Sequence, residues 1–144
     1  MSLARLPLAV LFCLLLIACN NVGEVAYGLG MDLYSAKRYA EAATHLEQAA
    51  HADHVLGMAT LASMLLKGEG VPRDATRAAL WFEKAANLGN VECQSIIGLL
   101  YFNGIGVQHD PAKARTWLSK AAGNGDKQSA WILENLAERG AARF

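Results

Sequence analysis

Apolar residues in this chain come in short runs at three- and four-residue spacing, broken by glycine-rich polar stretches. One run is Ile96, Ile97, Leu99, Leu100, Tyr101 and Phe102, ended by Gly104; the next is Ala114, Trp117, Leu118, Ala121 and Ala122, ended by Gly123-Asn124-Gly125. That spacing gathers each run on one face of a helix and predicts two amphipathic helices. The break between them, Gly104-Ile105-Gly106-Val107, suits a helix end and a turn at positive φ, which branched side chains resist, while Val107 folds back onto the helices. Asp110 followed by Pro111 restarts the chain as helix: the carboxylate caps free N–H groups and proline fits the first turn.

The same pattern appears 36 residues earlier. Gly68, Gly70, Val71, Asp74, Ala78, Trp81, Lys84, Ala85, Ala86 and Gly89 recur as Gly104, Gly106, Val107, Asp110, Ala114, Trp117, Lys120, Ala121, Ala122 and Gly125. A fixed period in the range of roughly 20–50 residues marks a repeat array, in which each unit buries its apolar face only by stacking on its neighbours. The first unit is a variant. Leu29-Gly30 and Leu33-Tyr34 begin it, Ala42, Leu46, Ala49 and Ala50 form its second helix, and Lys37-Arg38-Tyr39 replaces the glycine turn in a loop four residues shorter. Beyond residue 126 one more helix follows with no partner, and Glu134, Glu138 and Arg139 suit a polar end cap.

The run from a Leu/Ile-Gly pair through Tyr-x-x-Gly-x-Gly-Val to Asp, Ala, Trp and Lys-Ala-Ala resembles the Sel-one-like repeat family, a relative of the tetratricopeptide repeats. The match covers residues 55–126 most closely; Ala62 and Leu65 depart from the Gly and Tyr that the pattern prefers. The 12-residue Gly30-to-Ala42 spacing makes the first unit similar to a tetratricopeptide repeat. The resemblance implies an all-α, right-handed solenoid of about three helix-turn-helix repeats (25–54, 55–90 and 91–126) with a capping helix over 127–144. It also implies a scaffold or adaptor, a role that members often take in the bacterial envelope.

The N-terminus predicts where such a scaffold works. Arg5 is followed by an apolar run from Leu6 to Ala18, and the segment closes on Leu16-Ile17-Ala18-Cys19. A short positive region before about 7–15 apolar residues reads as an export signal, and a membrane-spanning helix would need about 20. The closing tetrapeptide resembles the lipobox of bacterial lipoproteins. The resemblance implies a signal over 1–18, lipidation at Cys19, a short lipidated linker over 19–24, and a repeat domain over 25–144. Asn20, in place of the Asp that retains many such lipoproteins at the inner membrane, implies the outer membrane with the domain facing the periplasm.

Charge and chemistry narrow the function. After residue 18 there are 12 basic and 13 acidic side chains, so no basic excess attracts nucleic acid. Of three cysteines, Cys13 leaves with the signal and Cys19 is acylated; Cys93 then stands alone, and packing rather than a disulfide must hold the domain. The glycine loops follow helices rather than strands, which is the wrong setting for a dinucleotide fingerprint. His51, Asp53 and His54 cluster at a helix end; zinc ligation is one reading, and satisfaction of free carbonyls at a linker is the better one. His45 and His109 sit alone, Cys93 lacks a Cys-His signature, and the equivalence of Trp81 and Trp117 favours packing over ligand stacking. No metal, cofactor or catalytic residue is expected. Cysteine-rich secreted relatives have been linked to penicillin binding and β-lactam hydrolysis, but they carry paired cysteines in each repeat. This chain does not, nor does its mature part hold a Ser-x-x-Lys motif with a plausible partner set. A small immunity or uptake-blocking lipoprotein, binding one toxin or transfer protein, would share fold and anchor.

Helix phase points to the binding face. If the third unit's first helix buries Ile97, Gly98 and Tyr101, then Ser95, Leu99 and Phe102 point away from that stripe. The same phase selects Tyr27, Met31 and Tyr34, then Leu56, Ser63 and Leu66, and finally Trp131 and Asn135. Together they predict an apolar concave groove for an envelope protein or peptide.

Overall fold

The computed structural model describes the backbone of residues 8–138 and the side chains of residues 21–135. Residues 1–7 of the expected signal, the Cys19 side chain, and Arg139 of the expected cap therefore lie outside the described residues. Seven helices, with no strand among the described residues, follow in order: α1 (Leu8–Ser35), α2 (Tyr39–His51), α3 (Val55–Lys67), α4 (Ala75–Asn87), α5 (Val91–Asn103), α6 (Pro111–Gly123) and α7 (Lys127–Glu138). None of them is long and apolar enough, among the described residues, to cross a membrane. Helices α1 to α6 pair as three hairpins, each stacked on the next, and α7 closes the array.

Local chemistry sets the boundaries. Asp74 and Asp110 accept hydrogen bonds from the Arg77 and Lys113 backbone N–H groups at 2.9 Å, each capping a second helix, and Pro111 opens α6 as expected. Asn90 does the same for α5, and at the equivalent place before α3 the acceptor is the His54 ring. Gly68 and Gly104 end α3 and α5 in the left-handed region, with φ of 78° and 66°. The first hairpin turns in only three residues, 36–38, against seven in 68–74 and 104–110, and Lys37 takes the positive φ itself.

The glycine two residues further on does something different. A Cβ on Gly70 would lie 2.3 Å from the Tyr39 carbonyl carbon, and one on Gly106 would lie 2.0 Å from the Ala75 carbonyl oxygen. Each loop therefore presses its second glycine onto the start of the preceding unit's second helix. That contact fixes how closely units stack.

The core runs unbroken through the hairpins, from Ala42 and Leu46 through Met58, Leu61, Leu65 and Phe82 to Ile97, Tyr101 and Ala114. Small residues let paired helices approach: Gly30 sits against Leu46, and Gly98 against Leu118. One repeat further on, that position in α7 is Glu134. There a bulky charged residue takes the slot in which Gly30 and Gly98 receive their second helices.

Two sequence expectations need correction. The linker expected over 19–24 is helical and belongs to α1, because Val22, Ala26 and Leu29 continue the helical period and no proline interrupts it. The two equivalent tryptophans differ as well. Trp81 is buried, with the His51 ring edge-on at 5.3 Å, whereas Trp117 is only half-buried and the position equivalent to His51 is Asn87, which has no ring to lay over it.

Candidate functional site

The first helices α1, α3 and α5 lie together on one side, and two hollows open between them and their neighbours. One, of about 270 Å³, is bounded by Tyr34 of α1, by Leu56, Ala59, Thr60, Ser63 and Lys67 of α3, and by Glu92 and Ile96 of α5, with Phe82 and Cys93 at its floor. The second, of about 510 Å³, lies between α5 and the start of α7 and is lined by Glu92, Ser95, Ile96, Leu99, Asn124 and Gln128 among others. Ile96 and Glu92 line both, so the two hollows adjoin across α5 along the inner face of the array.

The structure brings together five of the eleven residues selected by helix phase. Tyr34, Leu56 and Ser63 line the first hollow, and Ser95 and Leu99 the second. Ser95 does not point freely outward: it is buried, and the Ser129 hydroxyl donates to its Oγ at 2.9 Å across to α7. Leu66 and Phe102 lie at the helix ends and serve the glycine loops. The Leu66 carbonyl accepts from Arg73 Nε at 3.0 Å, and the Phe102 ring meets His109 at 6.4 Å. Tyr27 stacks on His54 at 4.5 Å, and Met31 packs against the core. Trp131 and Asn135 line neither hollow; Trp131 is exposed, and Asn135 donates to the Trp131 carbonyl within its own helix.

Phase reasoning missed Ile96, Glu92, Thr60 and Ala59. It placed the inner face roughly one residue off, because it took only one stripe as buried, whereas α3 and α5 each pack on two second helices and keep a narrower free strip. Apolar residues spread around nearly the whole of α5, rather than gathered on one stripe, were the available signal.

The groove's chemistry is apolar with a few fixed polar groups. Tyr34 donates to Glu69 Oε2 at 2.9 Å, and that bond to a carboxylate, reinforced by burial, raises the phenol above its ordinary value. Tyr101 donates to Glu83 at 3.0 Å and is likewise raised, chiefly by burial. Lys67, Glu92 and Asp126 give the rim one positive and two negative charges. Cys93 is buried, and desolvation pushes its thiol up to about 12, so it is no nucleophile at neutral pH. Gln94 is buried but fully partnered: its amide donates to the Ala86 carbonyl at 3.1 Å and its oxygen accepts from Asn124 at 2.9 Å, tying α5 to the ends of α4 and α6. At the first junction His54 Nε2 meets Glu24 at 3.0 Å, and Asp53 pairs with Lys84 at 2.9 Å. Here His54 caps α3 and hydrogen-bonds Glu24 while Asp53 forms an ion pair with Lys84, and no cluster able to hold a metal is present among the described residues.

Three successive stretches of the chain, 16–54, 55–90 and 91–126, match the Sel1 repeat. The chain belongs to the Sel1 repeat family, whose members generally mediate protein–protein interaction and are typically non-catalytic. It is similar to a solved Sel1 repeat protein from Oxalobacter formigenes, with 39% identity over 67% of this chain and 28% of that one, at a TM-score of 0.65. It is also similar to c5321, a protective antigen present in uropathogenic Escherichia coli strains that displays an SLR fold. There the identity is 32% over 82% of this chain and 26% of that one, at a TM-score of 0.78. The chain thus spans about a quarter of the length of these two proteins. The cysteine-rich protein B of Helicobacter pylori shares the fold, with a TM-score of 0.61 at 24% identity over 64% of this chain and 69% of that one. No curated protein matches the sequence.

Proposed function

We propose that this chain is a lipoprotein of the bacterial cell envelope, anchored by acyl groups on Cys19 and facing the periplasm from the outer membrane. There it acts as a non-catalytic adaptor whose inner groove holds a segment of a partner protein. The observation that supports the reading best is the apolar row of Tyr34, Leu56 and Ile96, contributed by the first helices of three successive units. Stacked repeats present such a row as one extended surface, suited to a peptide or helix longer than any single hairpin. The buried, high-pKa thiol of Cys93 supports a role without covalent chemistry.

A photo-crosslinking amino acid at Leu56, which is half exposed at the groove edge, tests this in intact envelopes. The expected result is a discrete crosslinked partner, lost when Ile96→Glu is added in a protein of unchanged melting temperature. Crosslinking indifferent to Ile96→Glu would move the partner away from the groove, and hydrolysis of a β-lactam by the purified chain would overturn the non-catalytic reading. Fractionation of Cys19→Ala beside wild type tests the anchor. A variant that stays membrane-bound to the same extent refutes it.

A further inference from the structure

Val22, Val25 and Leu29 form an apolar stripe on α1 that the solenoid leaves uncovered. With Asn21, His45 and Gln48 they line a shallow groove of about 430 Å³ between α1 and α2, at the N-terminal edge of the array. No Asp, Glu, Lys or Arg lines it.

Repeat equivalence shows how unusual this exposure is. Gly30 and Gly98 occupy matching places, each against the Leu of its own second helix. In that register Val25 corresponds to Gly57 and Cys93, and Leu29 to Leu61 and Ile97. Those counterparts are buried; a Cβ on Gly57, for instance, would lie 2.7 Å from Ala49 of the preceding second helix. Leu61 and Ile97 are 2% and 0% exposed, whereas Val25 and Leu29 are 56% and 48% exposed. Among the described residues, the first unit thus keeps an apolar stacking face that no second helix covers.

We propose that this edge is seated on the lipid bilayer, Val22, Val25 and Leu29 entering the boundary between headgroups and acyl chains. The inference rests on the anchored reading above and adds the orientation in which the domain is held. Cys19 lies three residues before Val22 in the same helix, so at 1.5 Å per residue the stripe begins about 5 Å from the anchor and ends about 15 Å from it. A helix leaving the anchor with no flexible stalk cannot hold so near a face away from the lipid without lying steeply to the surface. Three partly exposed side chains fall far short of the roughly 800 Å² per partner that a stable dimer needs. They do suffice for an already anchored helix to settle about 5–10 Å into the interface. The inner groove would then lie beside the membrane rather than face away from it.

The test uses the full chain, purified with its anchor and reconstituted into vesicles of phosphatidylethanolamine and phosphatidylglycerol. Single variants Val25→Cys, Leu29→Cys and, as control, Gln108→Cys in the exposed α5–α6 loop carry an environment-sensitive maleimide label. Cys93 is buried with its thiol raised, so it stays silent in the native protein. Wild type is then a control of its own, since labelling of it would mean that Cys19 is free or Cys13 retained. That result, or failure to float with vesicles, defeats the anchored reading and this inference with it. With wild type unlabelled and floating, the expected result is a blue-shifted label at Val25 and Leu29, quenched by brominated lipid, and an unquenched label at Gln108. Floating protein whose labels at Val25 and Leu29 escape quenching overturns the inference and leaves the anchor standing. Concentration-dependent energy transfer between labels at Val25, without lipid quenching, overturns it in favour of a second copy. Val25→Glu/Leu29→Glu, monitored by a label at His45→Cys, gives a second readout: quenching there falls while the melting temperature holds.

Discussion

The two glycines of each inter-helix loop are distinguished by comparing Gly104→Ala with Gly106→Ala. Both sit in the left-handed region, at φ of 66° and 69°, so both variants carry the strain of an L-residue there, about 1–2 kcal/mol. They part on what the new methyl meets. At Gly104 the nearest atom is the His109 Cβ at 3.3 Å, which a small loop adjustment accommodates. At Gly106 the methyl would lie 2.0 Å from the Ala75 carbonyl oxygen and 2.4 Å from its carbon, both backbone atoms at the start of α4. Reaching the 3.0 Å below which real Cβ contacts essentially never fall requires the second and third hairpins to separate by about 1 Å. Overpacking of that kind adds about 1–3 kcal/mol. For a domain of this size each kcal/mol moves the melting temperature by about 3–4 °C, so Gly106→Ala melts at least about 3 °C below Gly104→Ala. Thermal unfolding followed by far-UV circular dichroism measures the difference. Equal melting temperatures would mean that the stacking distance is soft, and would refute the claim that the second glycine sets it.

Three further outcomes follow from side-chain environments. Trp81→Ala costs about 3–5 kcal/mol because the ring is buried, and Trp117→Ala costs visibly less in the same denaturation assay because its ring is half open to water. Asp126→Ala costs about 0.5–2 kcal/mol at neutral pH, since the carboxylate accepts from the Ser129 N–H at 3.0 Å at the start of α7. The Ser129 side chain, together with that N–H, holds the Asp126 pKa below its ordinary value, so the contribution is present above the unfolded pKa and is lost as pH falls through the folded one. Variant and wild type should therefore converge in acid in a pH series of urea midpoints. Cys93 resists iodoacetamide in the native state and reacts only as fast as the chain opens, which mass spectrometry across a denaturant series follows.

What the sequence determined by itself is the local grammar. Helix starts at Asp74 and Asp110, helix ends at Gly68 and Gly104, and the shortened first turn all depend on a few adjacent residues, whose preferences act before any tertiary contact forms. The 36-residue period then made stacking unavoidable, since no single hairpin buries its own apolar face. Tertiary structure decided how equivalent positions diverge. Leu61 and Ile97 vanish into the core while Leu29 stays half exposed; Trp81 is buried while Trp117 is only partly so; Ser95 is buried under Ser129. The groove moved to Ile96 and Glu92 for the same reason. A repeat writes nearly the same residue into each unit, but burial belongs to the neighbouring unit, and only the folded array fixes which neighbour, if any, stands there.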